Sequence, residues 1–385
     1  MKKIFGLQKN IFLLGVVSFF NDLSTEMIVS VLPIFFTSVL KVGAASLGLV
    51  EGIADAGANF IKIYAGGLSD KIQKRKLFIV FGYAISSFTR PFYLLVSSVG
   101  GVIGLRLTDR IGKGLREGPR DAIISVSCPP EELGKSFGYH RAMDTLGGII
   151  GPLIAYLILR EFPMDFDKIF ITAFIFSLFS IGATLFIRDI IGSIKKKKFS
   201  IVSLEFFPKD FKQYLLALFI LSAGSLPVAV MLLKVQGFGM TIASVPLFYM
   251  LYNISYAGFS IVAGKLSDKI GQKKIIITGY ILLMVSYIVL AMDHSLMLFS
   301  FGFLLLGLFP AFTDGVQRSY AATLTNEEHR AGAYGLVNAS AGFGALFAGI
   351  GGGYIWQMYG AGTAFTISVA LIFSGLMLLI LNKSE

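Results

Sequence analysis

The sequence predicts an all-α membrane protein with twelve transmembrane helices in two pseudo-symmetric six-helix bundles. Three observations lead there. Of 385 residues, 55% are hydrophobic and 15% charged, with a mean hydropathy of +0.75, well outside the range of soluble domains of this length. Apolar stretches near the ~20 residues that cross a ~30 Å hydrocarbon core follow one another almost without pause, about twelve in all. The segment from Gly66 to Lys76 returns nearly letter for letter from Gly264 to Lys274, displaced by 198 positions, a doubling of the kind that joins two helix bundles head to tail.

The stretches run over 11–37, 44–67, 77–97, 99–122, 136–159, 167–188, 212–236, 242–265, 275–293, 295–321, 331–355 and 361–382. The first is too long, and too polar at Asn21, Asp22 and Glu26, to be a cleaved signal, so it is expected to be a retained helix. The second and eighth lead into the two copies of the repeated segment, each read as a charged turn. The third carries Arg90 beside Pro91, and the fourth is crowded with charge. The fifth holds Gly147, Gly148, Gly151 and Pro152, where glycines permit close backbone approach and the proline adds a bend. After the sixth comes a lysine run at 195–198 and then Pro208, read as a cytoplasmic linker. This divides the chain into an N-terminal bundle (1–189), a linker (190–211) and a C-terminal bundle (212–385). The eighth stretch brings Tyr249, Tyr252, Asn253 and Tyr256, the tenth Gln317, and the eleventh Asn338 among many glycines.

The net charge of +11 does not imply nucleic acid, because the basic residues collect in alternate loops. By the positive-inside rule those loops, and with them both termini, are cytoplasmic. A single cysteine, Cys128, excludes an internal disulfide. No phosphate-binding Gly-x-x-x-x-Gly-Lys-Ser/Thr motif is present, so ATP is not the expected energy source. The three histidines, His140, His294 and His329, fall near predicted helix ends without ligand spacing, so no metal or other cofactor is expected.

Gly66, Leu68, Asp70, Lys71, Arg75 and Lys76 match the loop signature of the major facilitator superfamily, and Arg110 with Gly114 fit its weaker pattern in the fourth helix, although Lys113 stands where Gln is common. Gly147, Gly148, Gly151 and Pro152 resemble, in shortened form, the glycine-proline pattern of antiporters. The chain thus resembles a twelve-helix transporter of that family over essentially its whole length. The resemblance implies alternating access, a small-molecule substrate, a monomer in the plasma (bacterial inner) membrane and the proton-coupled efflux branch. In physical terms, Asp70 and Asp268 can each meet a helix dipole and nearby basic groups and latch one conformation. Gly66, Asp70, Arg75, Asp268, Arg120, Arg318, Gly147, Gly151 and Pro152 are the gating candidates.

Ionisable groups inside the membrane cost on the order of 2.5–3.5 kcal/mol or more each, and they mark pathways. Asp22 and Glu26 share a helix face, as do Glu51 and Asp55. The four carboxylates are expected to converge on one interior. In the fourth stretch Arg106, Asp109, Arg110, Lys113, Arg116, Glu117, Arg120 and Asp121 fall within an arc of roughly 140° at about 100° per residue. Arg90, Arg141 and Asp144 would complete a buried network. Asp22, Glu26, Glu51, Asp55, Asp109, Arg110 and Asp144 are the proton-coupling candidates, with sodium as the alternative ion. The competing reading is a set of permanent ion pairs that only fixes helix register.

The second half reads as nearly uncharged at matching depths, with Asn253, Tyr249 and Gly342 where the first half has Asp55, Glu51 and Asp144. Arg90, Lys113, Arg141, Tyr249, Tyr252, Asn253, Tyr256, Gln317 and Asn338 are the substrate-binding candidates, through charge, stacking and hydrogen bonding. The expected function is secondary active transport of a small organic solute, by proton-coupled efflux. The alternatives are proton-coupled uptake or exchange of an organic anion, or a membrane receptor or intramembrane enzyme that does not translocate.

Overall fold

The computed structural model describes residues 3–4, 7–72, 74–129, 132–189, 204–236, 240–292, 295–326 and 330–382, with only the backbone of Lys3, 62–72 and 330–331. Thirteen helices account for nearly all of it. They are α1 (Lys9–Ser38), α2 (Ala44–Ile72), α3 (Arg75–Phe92), α4 (Val99–Val126), α5 (Leu133–Glu161), α6 (Phe166–Leu185), α7 (Lys209–Ala223), α8 (Val228–Gln236), α9 (Val245–Ile270), α10 (Gln272–Ala291), α11 (Leu296–Thr323), α12 (Arg330–Phe347) and α13 (Gly353–Leu381). The one departure from all-α structure among the described residues is a short antiparallel ladder pairing Ile4 with Leu7.

Local chemistry sets the ends. Ser98, Asp165 and Ser295 accept from the backbone N–H three residues on, at 3.2, 3.1 and 3.1 Å, each satisfying one donor that an N-terminus leaves unpaired. Gly271, at φ +98°, turns α9 into α10 in one residue, a backbone conformation that glycine adopts at little cost.

The repeated segments are therefore turns only in part. Helix α2 continues through Asp70 to Ile72 and α9 through Asp268 to Ile270, while α3 and α10 begin at Arg75 and Gln272, so each copy spans the end of one helix, a short connection and the start of the next. The expected 212–236 span is broken into α7 and α8. Pro227 lacks an N–H and disfavours helix at Leu226. Leu226 N–H instead donates to the Tyr287 hydroxyl at 2.9 Å, so the buried irregular backbone stays paired.

The expected eleventh and twelfth spans run on as α12, a π turn over Ala348–Gly352 and α13, which Gly360 interrupts at φ 86°, ψ 165°. Among the described residues nine helices are long and apolar enough to cross a membrane, rather than the expected twelve. That last run counts as one, and α2 and α4, though 29 and 28 residues long, are too rich in charge.

The chain divides into two compact units, 1–35 with 57–199 and 36–56 with 200–385. One division falls at 199–200, inside the expected linker, and a second departs from the expected bundles: the end of α1 and the first half of α2 pack with the C-terminal half. There a Cβ on Gly48 would lie 2.2 Å from the Gly349 carbonyl oxygen, and one on Gly353 2.6 Å from that of Ala44. In the first unit, a Cβ on Gly147 would lie 2.5 Å from the Phe19 carbonyl oxygen and one on Gly151 2.4 Å from that of Leu23, which seats α5 directly on the α1 backbone. α5 runs unbroken through Pro152. Large apolar side chains such as Phe81, Phe179, Phe186, Ile261 and Phe373 are more than half exposed, as faces turned to lipid are.

Candidate functional site

The polar core of the first unit is built on three helices. Arg90, at the end of α3, is 2% exposed. Its Nη2 donates to the Asn21 backbone oxygen (3.3 Å), to Asn21 Oδ1 (3.2 Å) and to Thr25 Oγ1 (2.9 Å). The Asn21 amide then donates through Nδ2 to Asp22 Oδ1 at 3.0 Å. One amide thus links a guanidinium on α3 to a carboxylate on α1. Charge-assisted bonds of this sort are among the stronger ones inside a low-dielectric interior.

On α4 the buried charges are Arg106, Asp109 and Arg116. Arg106 Nη1 lies 4.0 Å from Asp109 Oδ2. Arg116 Nη1 donates to Ser86 Oγ at 2.6 Å, and its guanidinium sits 4.5 Å above the Tyr83 ring, a cation–π contact that holds the charge without a direct carboxylate. Arg110 and Lys113 are half-buried, Lys113 lying 3.9 Å from Glu117. Arg120 is bonded to its neighbour Asp121 at 3.0 Å. The expected polar stripe is thus a row of separate pairs along α4, with Arg116 bonded across to α3.

α5 adds a pair that the sequence reading overlooked. His140 Nδ1 lies 3.5 Å from Asp144 Oδ2, with His140 4% exposed. Asp22 lies within electrostatic reach of Asp144, Lys113 and Arg116. The backbone contact of Gly147 with α1 brings these elements together: a Cβ there would stand 3.2 Å from Asp22 Cβ. The i,i+4 spacing of His140 and Asp144 was the legible signal, since it puts both on one helix face. Arg141, expected in the buried network, is exposed.

The four carboxylates do not gather in one packing unit. Asp22 and Glu26 belong to the first unit, whereas Glu51, which is buried, and Asp55 lie in the part of α2 that packs with the second. The cause is the Gly48 and Gly52 contact with Gly349, which the periodicity of α2 alone does not reveal.

In the second unit Tyr249, Tyr252 and Tyr256 form a ladder along α9, with ring centroids 5.6 and 6.3 Å apart. The Tyr256 hydroxyl donates to Asp314 Oδ2 at 2.9 Å. Asp314, an exposed carboxylate on α11, is one charge of this half that comparison with the first half does not bring out. Gln317 donates to the Tyr280 hydroxyl at 3.1 Å and its backbone oxygen accepts from Tyr214 at 3.2 Å. Asn253 and Asn338 are half-buried. Among the gating candidates, the side chains of Gly66 and Asp70 lie outside the described residues. Arg75 is buried at the start of α3, whereas Asp268 and Arg318 are exposed, and neither has a hydrogen bond or ion pair among the described residues. No cluster of three or more metal-ligating side chains occurs among the described residues.

The chain is similar along its length to known proteins. The family model of the Major Facilitator Superfamily matches residues 14–249 and 214–385. An uncharacterised MFS-type transporter of Methanocaldococcus jannaschii, MJ1317, is 36% identical over 97% of this chain and 95% of its own. The quinolone resistance protein NorA of Staphylococcus aureus is 26% identical over 39% of this chain and 37% of its own. Among solved structures, that of the nucleoside transporter NupG superposes with a TM-score of 0.80 at 16% identity, covering 97% of this chain and 99% of that one, a likeness of fold alone. These matches, on a helical architecture with charged residues buried inside its units, identify a transporter rather than an enzyme: the chain belongs to the Major Facilitator Superfamily.

Proposed function

We propose that this secondary transporter exports a small organic solute by proton antiport, with twelve spans, both termini in the cytoplasm of the host cell and its plasma membrane as the site of action. The observation that carries the reading is the meeting of Asp22 on α1 with Asp144 and His140 on α5, beside Lys113 and Arg116 of α4. Two carboxylates within reach of each other disfavour double ionisation. Nearby cations favour the charged form, so a proton and a cationic partner can alternate on the pair. Glu26, Asp109 and Arg110 support this set. Glu51 and Asp55 serve the second unit. Export is the direction favoured by the glycine-proline pattern of α5 and by the partial likeness to NorA.

In the second unit, substrate is held by the tyrosine ladder with Asn253, Gln317 and Asn338. Asp70, Arg75, Asp268, Arg120 and Arg318 act as latches, with Gly147, Gly151 and Pro152 as the sliding surface. A second reading, uptake or exchange of an organic anion, is favoured by the excess of buried cations over carboxylates on α3 and α4.

Reconstitution in liposomes separates these readings. With Asp22→Asn or Asp144→Asn, exchange of labelled substrate between the two sides persists while accumulation driven by a pH gradient disappears. Gradient-driven transport retained in both variants places the proton elsewhere, and dependence on a sodium gradient instead replaces the proton as the coupling ion.

A further inference from the structure

We propose that the small cavity between α1, α3 and α4 is a binding site for one halide-sized inorganic anion, held by Arg90 and Thr25. The cavity, of about 10 Å3, is lined by Thr25, Ile28, Thr89, Arg90, Tyr93, Arg106 and Asp109. That is on the order of the space one water occupies, which excludes an organic solute.

Two donors bear on it. Arg90 is 2% exposed, and while its Nη2 makes three hydrogen bonds, its buried Nη1 has no partner among the described residues. Thr25 Oγ1 accepts from Arg90, which leaves the hydroxyl hydrogen to donate. Thr89, by contrast, spends its hydroxyl on the Ser86 backbone oxygen at 2.7 Å. A buried guanidinium nitrogen without an acceptor is expensive to maintain.

Charge favours an anion over water. Two guanidiniums and one carboxylate line the cavity, and Asp109 is the neighbour of Arg106 at 4.0 Å. The groups that Arg90 bonds directly, Asn21 and Thr25, are neutral, and the one carboxylate in the lining, Asp109, is shared between Arg90 and Arg106, which leaves one positive charge in excess. A water satisfies the nitrogen and leaves the charge; a halide does both. The Asp109 carboxylate opposes the ion and limits the site to one monovalent anion. This assignment holds whether or not Asp22 carries the transported proton.

The test uses purified full-length protein in lipid nanodiscs, at constant ionic strength, with potassium gluconate replaced stepwise by potassium bromide. Binding to the folded state raises the melting temperature with saturation, by about 3 °C or more. Arg90→Gln abolishes the dependence, whereas Arg141→Gln, at the exposed position on α5, leaves it intact. Because Arg90→Gln can fail to fold, bromide-edge anomalous scattering from the unaltered protein gives an independent reading, with a single peak at Arg90 Nη1. Equal melting temperatures in bromide and gluconate, no peak at that nitrogen, or halide stabilisation retained in Arg90→Gln each overturn the assignment.

Discussion

Replacing Gly151 by alanine tests whether α5 and α1 are held by direct backbone contact. The added Cβ would stand 2.4 Å from the Leu23 carbonyl oxygen and 3.1 Å from Met27 N. Ordinary contact begins at 3.4 Å, so the two helices must part by about 1 Å. A gap of that size forfeits roughly a quarter to a half of each contact's dispersion well, and in lipid no hydrophobic driving force makes up the loss. Overpacking of this kind costs about 1–3 kcal/mol, offset by about 1 kcal/mol from replacing glycine within a helix. The expected net loss is ~1 kcal/mol.

Gly182 on α6 is the matched control, since nothing lies within 4 Å of a Cβ there. Gly182→Ala therefore keeps the full helix-propensity gain of ~1 kcal/mol. The two variants should differ by ~2 kcal/mol, about thirtyfold in the unfolding equilibrium at 1.4 kcal/mol per factor of ten. Reversible unfolding in mixed micelles of sodium dodecyl sulfate measures this directly. If Gly151→Ala is as stable as Gly182→Ala, the close approach of α5 to α1 does not exist as described.

Tyr287→Phe strands the buried Leu226 N–H and should cost about 1–3 kcal/mol, read by the same unfolding assay; a neutral outcome means that the break between α7 and α8 is paired some other way. Asn21→Ala removes an acceptor from Arg90 and a donor from Asp22. It should lower stability by a similar ~1–3 kcal/mol and weaken gradient-driven transport more than exchange; equal loss of both refutes a coupling role. At the start of α6, bonds from Lys168 hold the exposed Asp165 carboxyl below its ordinary value. A lowered folded value means that the stabilisation is present above the unfolded value and fades as pH falls through the folded one. The melting-temperature gap between the natural protein and Asp165→Ala should therefore be full at neutral pH and close below about pH 4; a gap that widens in acid contradicts the capping role.

Much of the fold was open to reading because it depends on local composition. Long apolar stretches and capping serines are visible in one dimension, and α4 declared its polar stripe through periodicity. What stayed hidden depends on tertiary contact. Nothing in the spacing of Glu51 and Asp55 tells that Gly48 and Gly52 dock on Gly349 and draw that half of α2 into the second unit. Asp314 was missed for another reason. Matching the halves from the carboxylates of the first never tests it, since the position 198 before it is Arg116. His140 stood at hydrogen-bonding spacing from Asp144 all along, but proximity to a helix end says little about burial when neighbouring helices overhang it. The break at Pro227 was marked by its sequence, Gly-Ser-Leu-Pro, within a run whose hydropathy is otherwise unbroken.

The π turn between α12 and α13 has a consequence for insertions and deletions. Gly344, before it, faces Phe219 and Ser222, whereas Gly349 and Gly353, within and after it, face Gly48 and Ala44. Wider i→i+5 spacing absorbs a surplus residue within one continuous rod. Deleting Ile350 would let the rod close into ordinary α-helix while Gly344 and Gly353, on either side, keep the faces they now present. The same deletion in a regular stretch of either helix would turn every residue beyond it by about 100°. One codon can therefore be lost at this turn at less cost than anywhere else along the two helices.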